Sequence, residues 1–198
     1  MSAMSAQFNI KAADPAAVSR IERGLGLPRF VAATLVARGI SEPSEVRAFL
    51  EPSLDRDWLD PYTIPGLSEV ADALEQVMRA DGRILVFGDF DLDGISATSV
   101  LTRGLRALGA HADPFIPRRF EEGYGLTEAA FARARTLNPD FIVTVDCGIA
   151  CKAEAAAIVA AGVGLAVTDH HEPVDLVPED VPVADPKCDE NCESAILA

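Results

Sequence analysis

The chain has 198 residues, 49% of them hydrophobic, with 31 acidic side chains against 17 basic ones and a formal charge of −14. That length and apolar content predict one domain, or one with a smaller attachment, burying its own core, and exclude a disordered chain. The charge excludes a protein that grips nucleic acid through a basic surface alone, and no uncharged apolar run of about 18 residues is present to cross a membrane.

Residues 1–14 read as a loose lead-in, and residues 1–10 carry neither the basic nor the apolar segment of a signal peptide. A cytoplasmic protein with its four cysteines reduced is the expectation. Asp14 is a candidate N-cap with Pro15 in the first helical position. Further helices are predicted at about 28–38, stopped by Gly39, and at about 43–50, where Val46, Phe49 and Leu50 share a face. Residues 51–66 are rich in Pro, Asp and Gly and read as an irregular connector. A helix over about 68–79 presents Val70, Leu74, Val77 and Met78 on one side. Residues 1–80 are therefore expected to form a helical extension in front of a domain at 81–198.

From there strands and helices alternate. Strands are predicted at about 84–88, 112–116, 141–145, 164–168 and 181–184, and helices at about 95–108, 127–137 and 152–161. The pattern predicts an α/β fold: a doubly wound, mostly parallel sheet with helices on both faces.

The stretch at 84–94 is the most informative. An apolar run, Ile84 to Phe87, passes straight into Asp89, Asp91 and Asp93, with Gly94 expected to relax the turn. Like charges this close repel unless something cationic sits among them, and alternating carboxylates suit hard divalent ions. A calcium loop of the helix–loop–helix type is excluded, because its twelfth position would be Val100 rather than Glu and the preceding segment is a strand. Asp146 follows the strand at 141–145, and Asp169, His170 and His171 follow the strand at 164–168. The carboxyl ends of parallel strands share one edge, where ligands bind, so these distant segments are expected to meet there. Asp and His without a thiolate-dominated set favour Mn²⁺ or Mg²⁺. A pair of such ions about 3.5–4 Å apart is the common apparatus of phosphoester hydrolysis. Asp146, between the other clusters in sequence, is the candidate bridging ligand. Ser96 and Thr98, near a predicted helix start, are either phosphate contacts or helix caps. His111 reads as a surface residue. No Gly-rich cradle ending in Lys-Ser or Lys-Thr is present, which excludes NTP-driven chemistry of that type. Cys147 with Cys151, and Cys188 with Cys192, form a rival set for one zinc ion.

Three motifs, Gly88-Asp-Phe-Asp-Leu-Asp-Gly94, Val145-Asp-Cys-Gly148 and Thr168-Asp-His-His171, resemble those of the DHH phosphoesterase superfamily. The loop from Phe115 to Leu126 and the lead-in from Arg38 to Pro61 are similar to those of its RecJ single-strand-specific 5′→3′ exonucleases. The resemblance implies metal ligation by Asp89, Asp91, Asp93, Asp146 and His170, with His171 on metal or phosphate and Asp169 orienting an imidazole. It implies catalytic roles for Asp146, His170 and His171, and DNA contacts from Arg118, Arg119 and Tyr124. It further implies hydrolysis of single-stranded DNA in repair and recombination, with a single-strand-binding protein and a helicase as partners. Members of the family continue into a fourth motif and a second catalytic domain, so this chain is expected to be an N-terminal piece with little activity alone. A small-substrate phosphodiesterase and a non-catalytic scaffold are the rival readings.

Overall fold

Residues 11–197 are described by the structure, a computed structural model; residues 1–10 of the expected lead-in lie outside them. Two compact units divide the chain, Met1–Trp58 and Leu59–Ala198.

In the first unit, helix α1 (Pro15–Leu25) starts where expected: the Asp14 carboxylate accepts from the backbone N–H groups of Ala16 and Ala17, both at 3.1 Å. Helices α2 (Arg29–Ala37) and α3 (Pro43–Leu50) follow. Val18, Ile21, Ala32, Leu35 and Val46 form their shared core. Phe49 and Leu50 do not join Val46 in it, being 55% and 45% exposed. Helix α3 is two turns long and buries one apolar position. The expected irregular connector contains a short helix, α4 (Leu54–Asp57), and a 3₁₀ turn at Pro61–Thr63.

The second unit is built on five parallel strands in the order β2-β1-β3-β4-β5. They are β1 (Arg83–Phe87), β2 (His111–Phe115), β3 (Phe141–Val145), β4 (Gly164–Thr168) and β5 (Val183–Ala184). The remaining helices are α5 (Leu67–Arg79), α6 (Leu92–Ala107), α7 (Arg119–Glu122), α8 (Glu128–Arg135) and α9 (Lys152–Ala160). Side chains alternate across the sheet as strand geometry requires. Ile84 and Val86 pack with α5 and α6 through Val70, Leu74 and Leu105. Leu85 and Phe87 pack with α8 and α9 through Ala130, Phe131 and Ile158. The predicted doubly wound sheet, helices on both faces, is the one observed.

Two expectations need correction. The sequence pattern places helix α5 in the helical extension, with a boundary at residue 80. It covers one face of the sheet instead, because its apolar stripe and the bare side of β1 each need a partner. Helix α6 begins at Leu92, three residues before the expected start, with Asp91 as N-cap accepting from Gly94 N–H at 3.0 Å. Carboxylates at 91 and 93 suit the partial positive charge of a helix N-terminus. Gly94 thus lies inside the helix rather than relaxing a turn. A Cβ there would stand 2.5 Å from the backbone N and O of Asp89, so glycine lets the helix approach the end of β1.

Candidate metal centre

The chain leaves β1 toward β2 on one side and toward β3, β4 and β5 on the other. Such a reversal opens a crevice beyond the carboxyl ends of the two central strands, where open parallel sheets bind ligands. β1 delivers Asp89, 1% exposed, whose Oδ1 accepts from Phe90 N–H at 2.7 Å. Burial pushes its carboxyl above the ordinary range, and the charge of Asp91 adds to the shift.

β3 ends at Val145, and Asp146 follows in the left-handed region at φ 61°. Its N–H still donates to Thr168 O at 3.1 Å, which anchors the turn to β4. The Asp146 carboxylate is buried and pairs with His170 Nε2 at 2.8 Å. Burial raises its pKa as well, opposed by the His170 hydrogen bond. Beyond β4, Asp169 is fully engaged. Its Oδ1 accepts from the backbone N–H groups of His170 (2.8 Å) and His171 (3.2 Å) and sits 2.7 Å from His171 Nδ1. Its Oδ2 accepts from Ile149 N–H at 2.9 Å, tying the loops after β3 and β4 together. The hydrogen bond to Asp169 raises the pKa of His171 against the opposing effect of burial.

These groups form two overlapping trios. Asp89, Asp91 and Asp146 each offer an oxygen within 4.8 Å of the others, and Asp146, His170 and His171 do the same with their ligand atoms. Asp146 belongs to both. Among the described residues no Lys or Arg ion-pairs with Asp89, Asp91 or Asp146. Three carboxylates massed without a Lys or Arg ion pair are a donor set that suits a hard divalent ion. Asp93 falls outside both trios. It lies on the first turn of α6 and lines a hollow of about 330 Å³ with Asp146, Asp169 and His170.

The outer residues divide. Ser96 and Thr98 do not sit at the start of α6, and Thr98 is 3% exposed, held against Gly88, where a Cβ would stand 1.8 Å from its hydroxyl. Asp91 caps the helix, so Thr98 is neither cap nor accessible phosphate contact. Arg118 pairs with Glu121 at 2.8 Å. Arg119 lies over the Phe90 ring, 4.8 Å from its centroid, and Tyr124 meets the same ring edge-on at 5.9 Å. The Tyr124 hydroxyl is pushed up to about 12 by burial, then by the charges of Asp89 and Asp169. This cation and two aromatic rings thus adjoin the carboxylates. His111 is exposed, as expected, and pairs with Asp81.

The zinc alternative fails on geometry: among the described residues no trio of close ligand atoms includes a cysteine. Cys147 Sγ points at Phe87 O and Cys192 Sγ at Thr63 O. Burial also pushes the Cys147 thiol far above its ordinary value, away from the thiolate that zinc would need.

Sequence reasoning missed Asp185. It follows β5, is 0% exposed, accepts from Lys187 N–H at 2.8 Å through Oδ1, and its Oδ2 has no hydrogen-bond partner among the described residues. Burial raises its pKa. The signal was available: a carboxylate directly after a predicted strand, the same rule that located Asp146 and Asp169.

Comparison with known proteins places this arrangement among relatives. The profile of the DHH family, N-terminal domain, matches residues 83–197. The single-stranded-DNA-specific exonuclease RecJ of Bacillus subtilis is 36% identical over 187 residues, covering 94% of this chain and 24% of that protein. RecJ of Thermus thermophilus is 46% identical over 110 residues, covering 56% and 16%. The crystal structure of the Thermus thermophilus RecJ in complex with Mn²⁺ superposes with a TM-score of 0.68 at 32% identity, over 92% of this chain and 25% of that one. A second crystal structure, of exonuclease RecJ bound to manganese, gives 0.63 at 40% identity, over 69% and 35%. The chain spans about a quarter of the length of the Bacillus relative.

Proposed function

This chain belongs to the DHH family, and from that premise we propose that it supplies the metal-binding carboxylate wall of an exonuclease that hydrolyses single-stranded DNA from the 5′ end in repair and recombination. The observation that carries the reading is Asp146, shared by two trios of ligand atoms with no Lys or Arg partner among the described residues. The donor set fits Mn²⁺ or Mg²⁺, the ions named for the crystallised relatives. Asp89, Asp91 and Asp146 would hold one ion, and Asp146, His170 and His171 the other, with Asp93 adjoining both across the shared hollow. Bound there, such a pair supplies a water of lowered pKa and positive charge opposite the phosphate oxygens.

The chain's own residues do the rest. Asp169 fixes both histidines through their backbone N–H groups and fixes the His171 ring through Nδ1. Gly94 allows the positive end of α6 to close on Asp89. Arg119, Phe90 and Tyr124 offer a guanidinium and ring faces to a phosphate and an unpaired base. Duplex bases are already stacked and present no free face, so single strands are favoured. Arg118 and Ser96 are peripheral contacts at most in this reading. The relatives are about four times longer, so slow hydrolysis is expected of these residues by themselves. The free cysteines suit a cytoplasmic setting, and a helicase and a single-strand-binding protein are the proposed partners, as suppliers and competitors for the single strand. No helix among the described residues is long and apolar enough to cross a membrane.

Calorimetric titration with Mn²⁺, alongside digestion of labelled single strands, duplexes and dinucleotides, tests the reading. Mn²⁺ binding with a preference for long single strands is expected. No Mn²⁺ binding, or preference for dinucleotides or duplex, overturns it.

A further inference from the structure

The loop between β2 and α8 carries Arg119 and Tyr124 and must keep them beside the carboxylates although residues 118–121 and Tyr124 face solvent. An ion pair between its middle and α8 anchors the contacts that close it. Glu122, its side chain 8% exposed, meets the Arg133 guanidinium through both carboxylate oxygens, one contact being 2.9 Å. The same carboxylate accepts from Arg118 N–H at 2.7 Å, and the Glu122 carbonyl accepts from the Thr127 hydroxyl at 2.6 Å. Arg133 in turn donates to Ile116 O at 2.8 Å, at the other end of the loop. The start of the loop and its middle are therefore tied to one residue of α8, and Glu122 carries the tie on to Thr127.

Arg133 also couples the loop to the site. Its guanidinium lies over Phe115, 3.9 Å from the centroid, and Phe115 stacks on Phe87 at 4.9 Å and 23°. Phe87 is the last residue of β1, two before Asp89. A bidentate, stacked arginine whose partner carboxylate is largely covered holds one geometry in a way a fully exposed pair does not.

We propose that Glu122 and Arg133 are positioning residues: a latch that sets the Arg119–Phe90–Tyr124 array against the carboxylates and so governs the grip on a single strand without touching metal. The inference rests on the functional reading above for its consequence, and on the loop's own contacts for its existence.

The test uses the chain with Glu122→Gln and with Arg133→Gln. A 3′-labelled single-stranded oligonucleotide is titrated by fluorescence anisotropy in Mn²⁺, Mn²⁺ affinity is measured by calorimetry, and amide exchange is followed over residues 116–127. Expected are oligonucleotide binding about tenfold weaker, the scale of one lost stacking contact, Mn²⁺ affinity within about twofold of the parent, and faster exchange confined to 116–127. Tyr124→Leu should weaken the parent similarly and add little in the Arg133→Gln background, since both remove one arrangement. Unchanged oligonucleotide binding, or full additivity with Tyr124→Leu, overturns the proposal and leaves a merely structural bridge. Should the parent bind Mn²⁺ but no oligonucleotide, the functional reading fails, and the latch is judged on exchange alone: unchanged protection over 116–127 in both variants overturns it.

Discussion

The two ends of the sheet are lined by the same kind of side chain and differ in how closely those side chains crowd. At the amino end, Asp81, Asp113 and Asp140 each have a partner: His111 at 3.0 Å, Arg106 at 2.9 Å and the N–H of Arg83 at 2.8 Å. At the carboxyl end, Asp89, Asp91 and Asp146 also have partners, the N–H groups of Phe90 and Gly94 and the His170 ring, but their oxygens crowd within 4.8 Å of one another with no Lys or Arg ion pair among the described residues. The larger hollow, about 670 Å³, lies at the amino end. Volume and crowded charge thus point to opposite ends of the molecule, and the candidate site is the one with the crowded charge. Aspartates each settled on a separate partner are structure; aspartates crowded within 4.8 Å of one another are an invitation to a cation.

The contrast is most exposed to failure at Asp146. Asp146→Asn should weaken Mn²⁺ binding on the order of 100-fold or more, since even residues that only orient ligands carry effects of roughly 10–100-fold. Asp140→Asn, at the other end, should leave Mn²⁺ binding unchanged and cost about 1–2 kcal/mol of stability in urea titration, by weakening the acceptor of the Arg83 N–H. Equal effects of the two would erase the distinction. Helix α6 spans both ends and allows a second comparison. Gly94→Ala, meeting the Asp89 backbone at 2.5 Å, should destabilise by about 1–3 kcal/mol and weaken Mn²⁺ binding. Gly104→Ala, with nothing within 4 Å of the added methyl, should stabilise by about 0.5–1 kcal/mol.

Smaller effects sharpen it further. Burial raises the carboxyls of Asp89 and Asp146, whereas Arg133 lowers that of Glu122. A depressed carboxyl stabilises the fold above its unfolded pKa, and that contribution is lost as pH falls through the folded value. Urea unfolding of the parent and of Glu122→Gln should therefore converge as pH falls through the depressed value of the Glu122 carboxyl and separate toward neutrality. The least change is expected from Asp113→Asn, an ion pair half in solvent worth about 0.2–1 kcal/mol and sensitive to salt.

Much of this was legible in the sequence because each central strand is an apolar run that ends in a charge. The run from Ile84 to Phe87 and the run from Phe141 to Val145 announce both their burial and, by the abrupt carboxylate, where burial ends. Once parallel pairing is inferred, convergence follows from topology. The failures have local causes. Three aspartates in a row of alternate positions read as loop and delay the expected start of helix α6, whereas Asp91 and Asp93 are favoured at a helix N-terminus. Thr98 looks available because sequence does not reveal that Gly88 lies against it. Helix α5 looks like part of the preceding bundle because an amphipathic stripe does not name its partner. The Glu122–Arg133 latch spans 11 residues across a turn, a separation at which charge pattern carries no signal.

The left-handed backbone at Asp146 bears on how its chemistry can be separated from its shape. Most side chains resist that conformation, while asparagine tolerates it nearly as well as aspartate. An alanine at this position would therefore distort the chain as it discharged the site, and any loss would have two origins. The amide keeps the bend and deletes only the negative charge. At this corner of the molecule the backbone decides which replacement can be interpreted.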